Sequence, residues 1–116
     1  MQQLVIEFSE PSAASGGFDR LLELASAGEI AIADLEFVHS IAGVASTVAA
    51  DRVDPRLAAL DGAASGLISR HDLDAVAAEL PHGHTAAVLV YRGGALDAAV
   101  QAWTDGGSTV RTLPTR

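Results

Sequence analysis

The sequence predicts an α+β domain: a ferredoxin-like βαββαβ antiparallel sheet with helices on one face, extended by a C-terminal helix and strand. Three observations lead to it. Short runs with a period of two recur at residues 4–8, 30–39 and 84–91. Apolar stripes with helical spacing fall between them. Gly, Pro, Ser and Asp punctuate the joins.

Leu4, Ile6 and Phe8 share one face of a first strand, and Val5 and Glu7 share the other. Ser9-Glu10-Pro11-Ser12 ends it. Phe18, Leu21, Leu22 and Ala25 stand at i, i+3, i+4 and i+7, so residues 17–27 read as a helix. Ser15 or Gly16 is the expected cap, and Gly28 suits the left-handed C-terminal position. From Ile30 to His39 the alternation places Ile30, Ile32, Asp34, Glu36 and Val38 on one face. Ala31, Ala33, Leu35, Phe37 and His39 take the other. Ser40–Gly43 reads as a hairpin loop and Val44–Ala50 as a returning strand whose pairing the sequence leaves open.

Asp54-Pro55 signals a helix start, and Arg56–Leu60 reads as one short turn. Ser69 is placed to cap the amide of Asp72, with Ile68 and Leu73 as a hydrophobic staple. Leu73, Val76, Ala77 and Leu80 then form a stripe that Pro81 stops. His84–Tyr91 is apolar on both faces, so both faces should be covered. Leu96, Ala99, Val100 and Trp103 form a third helical stripe ended by Gly106-Gly107. Thr109–Leu113 is a last strand, closed by Pro114. The first six long elements make the ferredoxin-like core. The helices near residues 17–27 and 70–80 should share one face. The other face, with Val5, Glu7, Ile32, Asp34 and Glu36, then needs the third helix or another subunit to cover it.

Four blocks resemble those of a small actinobacterial family: Leu4–Phe8, Ile32–Val38, Leu67–Leu73 and Ala86–Tyr91. It is the domain-of-unknown-function family numbered 6325, related to the broader family numbered 1269. The resemblance covers nearly the whole chain and implies no activity, cofactor or site residue. Broader relatives often hold a glycine-zipper insert near Gly62–Gly66, and some are labelled membrane proteins. Here only a short remnant stands there.

The 116 residues, 49% apolar, suit a single domain spanning residues 1–116. Fifteen acidic residues against seven basic give a net charge of −8, which argues against nucleic acid and anionic membranes as partners. The absence of cysteine excludes disulfides, thiolate zinc sites and a cysteine nucleophile. The N-terminal apolar run stops after Leu4-Val5-Ile6, so no secretory signal is expected and the cytoplasm is the default. The longest weakly polar stretch, Leu57–Ile68, falls short of the roughly 20 apolar residues of a membrane span.

Two constellations carry chemistry. Glu7, Asp34 and Glu36 lie on strands expected to be neighbours, and paired carboxylates are material for acid–base catalysis. The alternative is a set of solvated acids or partners for Arg20, Arg92 or Arg111 at a subunit interface. His82-Gly83-His84 and His39, with Asp34 or Glu36, have ligand chemistry for a divalent metal. The alternative is a polar loop. His71 reads as surface. Ser65 lacks the spacing of a nucleophile elbow, and Gly93-Gly94 lacks the residues of a nucleotide loop. Tyr91 and Trp103 read as core. No cofactor is assigned. The expectation is a non-enzymatic homo-oligomeric interaction or regulatory module, a homodimer with room for an unidentified protein partner. The alternatives are a small-ligand or metal sensor, and an enzyme using the strand acids.

Overall fold

The computed structural model describes residues 2–41, 44–53, 55–60 and 65–113. Strands β1 (Gln2–Phe8), β2 (Ile30–Ile41), β3 (Val44–Val48), β4 (Thr85–Gly93) and β5 (Thr109–Leu113) form one antiparallel sheet in the order β3-β2-β4-β1-β5. Helices α1 (Ser15–Ser26), α2 (Ala50–Val53), α3 (Arg70–Ala78) and α4 (Asp97–Asp105) complete it, with 3-10 turns at Pro11–Ala13 and Pro55–Leu60. This is an α+β fold.

The strand order departs from the predicted six-element core, in which β3 would be central. Burial explains why it is not. Residues 86–90 of β4 are buried on both faces, so β4 needs a neighbour on each side and a layer above and below. Strand β3 reads Val-Ala-Ser-Thr-Val and its described side chains are mostly exposed, which suits an edge.

The helices cover both faces, but they divide between them differently from the expectation. Connections β1-α1-β2 and β4-α4-β5 each step over one strand, and β1 and β4 run in opposite directions. The right-handed crossover rule then places α1 and α4 on the same face. That layer packs Phe18 and Leu21 of α1 and Ala99 and Trp103 of α4 on Leu4, Ile6, Phe8, Leu35, Phe37 and Leu89. Helix α3, not α4, covers the second face. Its Leu73, Val76 and Ala77 join Val5, Val38, Val88 and Val90.

Strand β2 changes phase midway. Ile32 is opposite Tyr91, yet Asp34 is opposite Val90, so Ala33 is an extra residue in a β-bulge. Simple alternation put Ile30 and Ile32 beside Asp34. The bulge instead returns both to the face of Leu35 and Phe37, and Ile30 and Ile32 pack there.

Local signals mostly hold. Ser69 caps α3, its hydroxyl accepting from the Asp72 amide at 3.1 Å, and Ile68 and Leu73 meet in one cluster. Gly28 has φ +76° after α1. Helix α1 starts at Ser15 itself, preceded by Ala14 with no side-chain cap, so neither Ser15 nor Gly16 is the cap. The returning strand ends at Val48, because Ala50 already begins α2. Ser40 and Ile41 belong to β2; Ala42 and Gly43, Asp54, residues 61–64 and Pro114 lie outside the described residues.

Trp103 is fully buried at the junction of α1 and α4, edge-on to Phe18 with ring centroids 5.3 Å apart. Gly17 makes this crossing possible, since a Cβ there would overlap the indole ring. Gly17→Ala is expected to cost about 1–3 kcal/mol by overpacking. Gly16→Ala, one residue away in open space, is expected to gain up to about 1 kcal/mol from reduced unfolded-state entropy. Urea denaturation of the two variants checks the contrast.

Candidate functional site

The six candidate residues do not form one site. They separate into three polar pairs and a surface residue, because β4 lies between β1 and β2 and because the sheet has two faces.

The first pair is Asp34 with Glu36. Asp34 is fully enclosed, and both its oxygens accept backbone amides from the segment before α3. Ser65 N donates to Oδ1 at 2.7 Å and Ile68 N to Oδ2 at 2.9 Å. The bulge supplies a further contact, the Ser65 hydroxyl donating to the Ala33 carbonyl at 2.6 Å. Asp34 and Ala33 together clasp residues 65–68 against the sheet. Glu36, two residues on and half-buried, has its carboxyl pushed above the ordinary value of 4.5. Burial is the largest cause, then the charge of Asp34 and a hydrogen bond to it, offset by the positive charge of Arg70. Asp34 is enclosed with its oxygens accepting the loop amides, whereas Glu36 is partly exposed to solvent.

The second pair is Glu7 with His84, Oε1 and Nδ1 lying 3.2 Å apart at partly exposed positions. Glu7 is opposite Ala86 of β4, and Glu36 is opposite Val88 on the other side of that strand. Adjacency of Glu7 to Asp34 and Glu36, expected from neighbouring strands, is therefore lost.

The third pair is His39 Nδ1 with the Thr85 hydroxyl at 2.8 Å. His39 is opposite Thr85, on the face of Phe37 and Ala87, whereas His84 reaches Glu7 on the face of Val5. The sheet thus stands between His39 and the other candidates. His82 is exposed in the turn that joins α3 to β4. That turn is tied to β2, with Gly83 N donating to Ser40 O at 2.7 Å. Among the described residues, no group of three or more His, Asp or Glu side chains is placed to hold a metal ion. His71 is exposed in the first turn of α3.

Two of the three arginines named as acid partners pair with carboxylates other than the candidate acids. Arg20 pairs with Glu23 at 2.9 Å, and Arg111 with Glu79 at 2.8 Å. Sequence reasoning missed the true partners of Asp34, because backbone amides carry no residue signature. It also missed Thr85 and Arg52, which share a cavity with His39. Among the described residues no helix is long and apolar enough to cross a membrane. Comparison of the chain with protein-family models, curated proteins and solved structures gave no match.

Two predictions follow from the acid pair. Asp34→Asn keeps one acceptor and turns an NH2 toward a backbone donor. It is expected to cost about 1–3 kcal/mol, with faster hydrogen exchange at the Ser65 and Ile68 amides. For Glu36, the folded protein holds its proton to higher pH than the unfolded chain does. Its contribution to stability is therefore complete below 4.5 and lost as pH rises through the raised folded value. Glu36→Gln removes that loss, so its melting temperature at neutral pH should exceed that of the wild type. The difference should shrink toward acid, and thermal melts across that range read it directly.

Proposed function

We propose that this protein is a non-enzymatic interaction module of the cytoplasm that works as a homodimer through the β2–β3 hairpin edge. The observation that carries this reading is the character of that edge. Strand β3 ends the sheet, and its sequence Val-Ala-Ser-Thr-Val carries no charge. An unpaired strand edge presents a row of amides and carbonyls that another strand can complete, and charge, Pro or a bulge usually guards it. The opposite edge strand, β5, does carry a charge in Arg111.

Ile41 and Val44 face each other at the end of the hairpin, 54% and 68% exposed. Surplus apolar surface was expected on a sheet face. Among the described residues, two of the three exposed large apolar side chains, Ile41 and Val44, lie at this hairpin and the third is Leu67, because three helices cover the two faces. A second copy is the occupant that suits an uncharged edge on a chain of net charge −8. Two such edges meet antiparallel around a two-fold axis without apposing the acids found elsewhere.

The proposal extends to the fold's ancestry. The order β2-β4-β1-β5, with α1 and α4 on one face, fits two interleaved split β-α-β units, the ferredoxin-like plan. On this reading β3, α2 and α3 are an insertion between its second and third strands. We propose membership in the family numbered 6325 on the resemblance of the four sequence blocks alone, and it adds no activity.

Light scattering on a sizing column tests the dimer. A mass of twice 11.8 kDa at micromolar concentration is expected. Val44→Lys, which places a charge on the edge, should weaken association by about tenfold or more while leaving the far-ultraviolet circular dichroism unchanged. A wild-type chain that runs at the monomer mass throughout sinks the reading.

A further inference from the structure

We propose that the cavity at the His39 end of the sheet binds a small molecule carrying one oxyanion group, a carboxylate or a phosphate, on a short aliphatic body. The cavity holds about 270 Å³. That is just under the roughly 300–1,000 Å³ of pockets that take drug-sized ligands, so its occupant is smaller.

Charge is the first argument. The chain has fifteen acidic residues and seven basic ones. Among the described residues lining this cavity none is acidic, and Arg52 of α2 contributes a full positive charge. A guanidinium offers several donors in a planar fork, the geometry that carboxylate and phosphate oxygens accept.

Donor placement is the second. His39 and Thr85 lie opposite each other on β2 and β4, so the sheet's own register fixes both. Their 2.8 Å contact uses Nδ1. When the Thr85 hydroxyl donates to Nδ1, the ring proton sits on Nε2, which becomes a donor. Ser9, just after β1, adds a hydroxyl.

The third is the wall. Val48 and Val53 line the same space, so a short aliphatic group has apolar surface to meet while the oxyanion meets Arg52 and His39. The combination of an apolar lining with a few convergent polar groups is that of a small-molecule site. The net charge of −8 repels anions at long range. That repulsion is screened beyond about 8 Å at physiological salt, and short-range donors decide binding.

The test uses butyrate and butyl phosphate as probes, with butanol as the neutral control, titrated into the full chain and followed by amide NMR. Shifts confined to residues around His39, Val48, Arg52 and Thr85 are expected with the two anions and not with butanol. The tighter of the two probes identifies the oxyanion class. Arg52→Gln, which keeps a polar side chain and loses the charge, should weaken anion binding by about tenfold or more. Arg92→Gln, the same change on an exposed residue at the far end of β4, should leave it unaltered. Amide spectra of the unliganded variants establish that each is folded. Absence of saturable shifts with both anions overturns the proposal. So do equal binding of butanol, equal loss in the two arginine variants, and shifts centred elsewhere.

Discussion

Through its middle, strand β4 offers no face to water, and most of the architecture is a consequence of that. Six successive residues, Ala86 to Tyr91, are buried. A strand of this kind is stable only at the interior of a sheet with material on both sides. β1 and β2 therefore flank it, α1 and α4 close one side, and α3 closes the other. Alanines at 86 and 87 keep the layers close, and the bulk of the first core comes from Phe8, Phe18, Phe37 and Trp103. The second core is built from Val, Leu, Ile and Ala. The two apolar clusters share β4 as their partition.

Much of this was legible in the residues themselves. Strand and helix periods, the Ser69 cap, the staple, the glycine after α1 and the burial of Trp103 are all local, and local chemistry announces itself at fixed spacing. Neighbour relations are not local. Whether β1 sits beside β2 or is separated from it depends on which later strand most needs the middle, a comparison of β3 with β4 that involves the whole chain. The predicted site inherited that uncertainty. Glu7 and Asp34 were placed together on the premise of adjacent strands, and one intervening strand separates them.

The polar groups follow the same division. Asp34 is held by amides of Ser65 and Ile68, which any residue types would supply, so nothing in the sequence marks them as partners. His39 was visible as a histidine ending an apolar face. Its companions, Thr85 and Arg52, come from segments 46 and 13 positions away, and only the sheet register and the short helix after β3 bring them together. A site of this composite kind depends on tertiary structure for its existence, in contrast to a motif carried by one loop.

The extra residue in β2 carries a consequence for variation in chain length. Removal of Ala33 would restore strict alternation, with Ile32 and Leu35 still on one face and Asp34 on the other, so the ladder to β4 has no need of it. The segment before α3 does need it, because the Ala33 carbonyl receives the Ser65 hydroxyl. A single deletion there would be silent in the pairing of the sheet and felt at the anchorage of a distant segment. The bulge thereby uncouples two scales of stability. The sheet can keep its integrity while the attachment of α3 is tuned, by one residue that belongs to the strand and serves the loop.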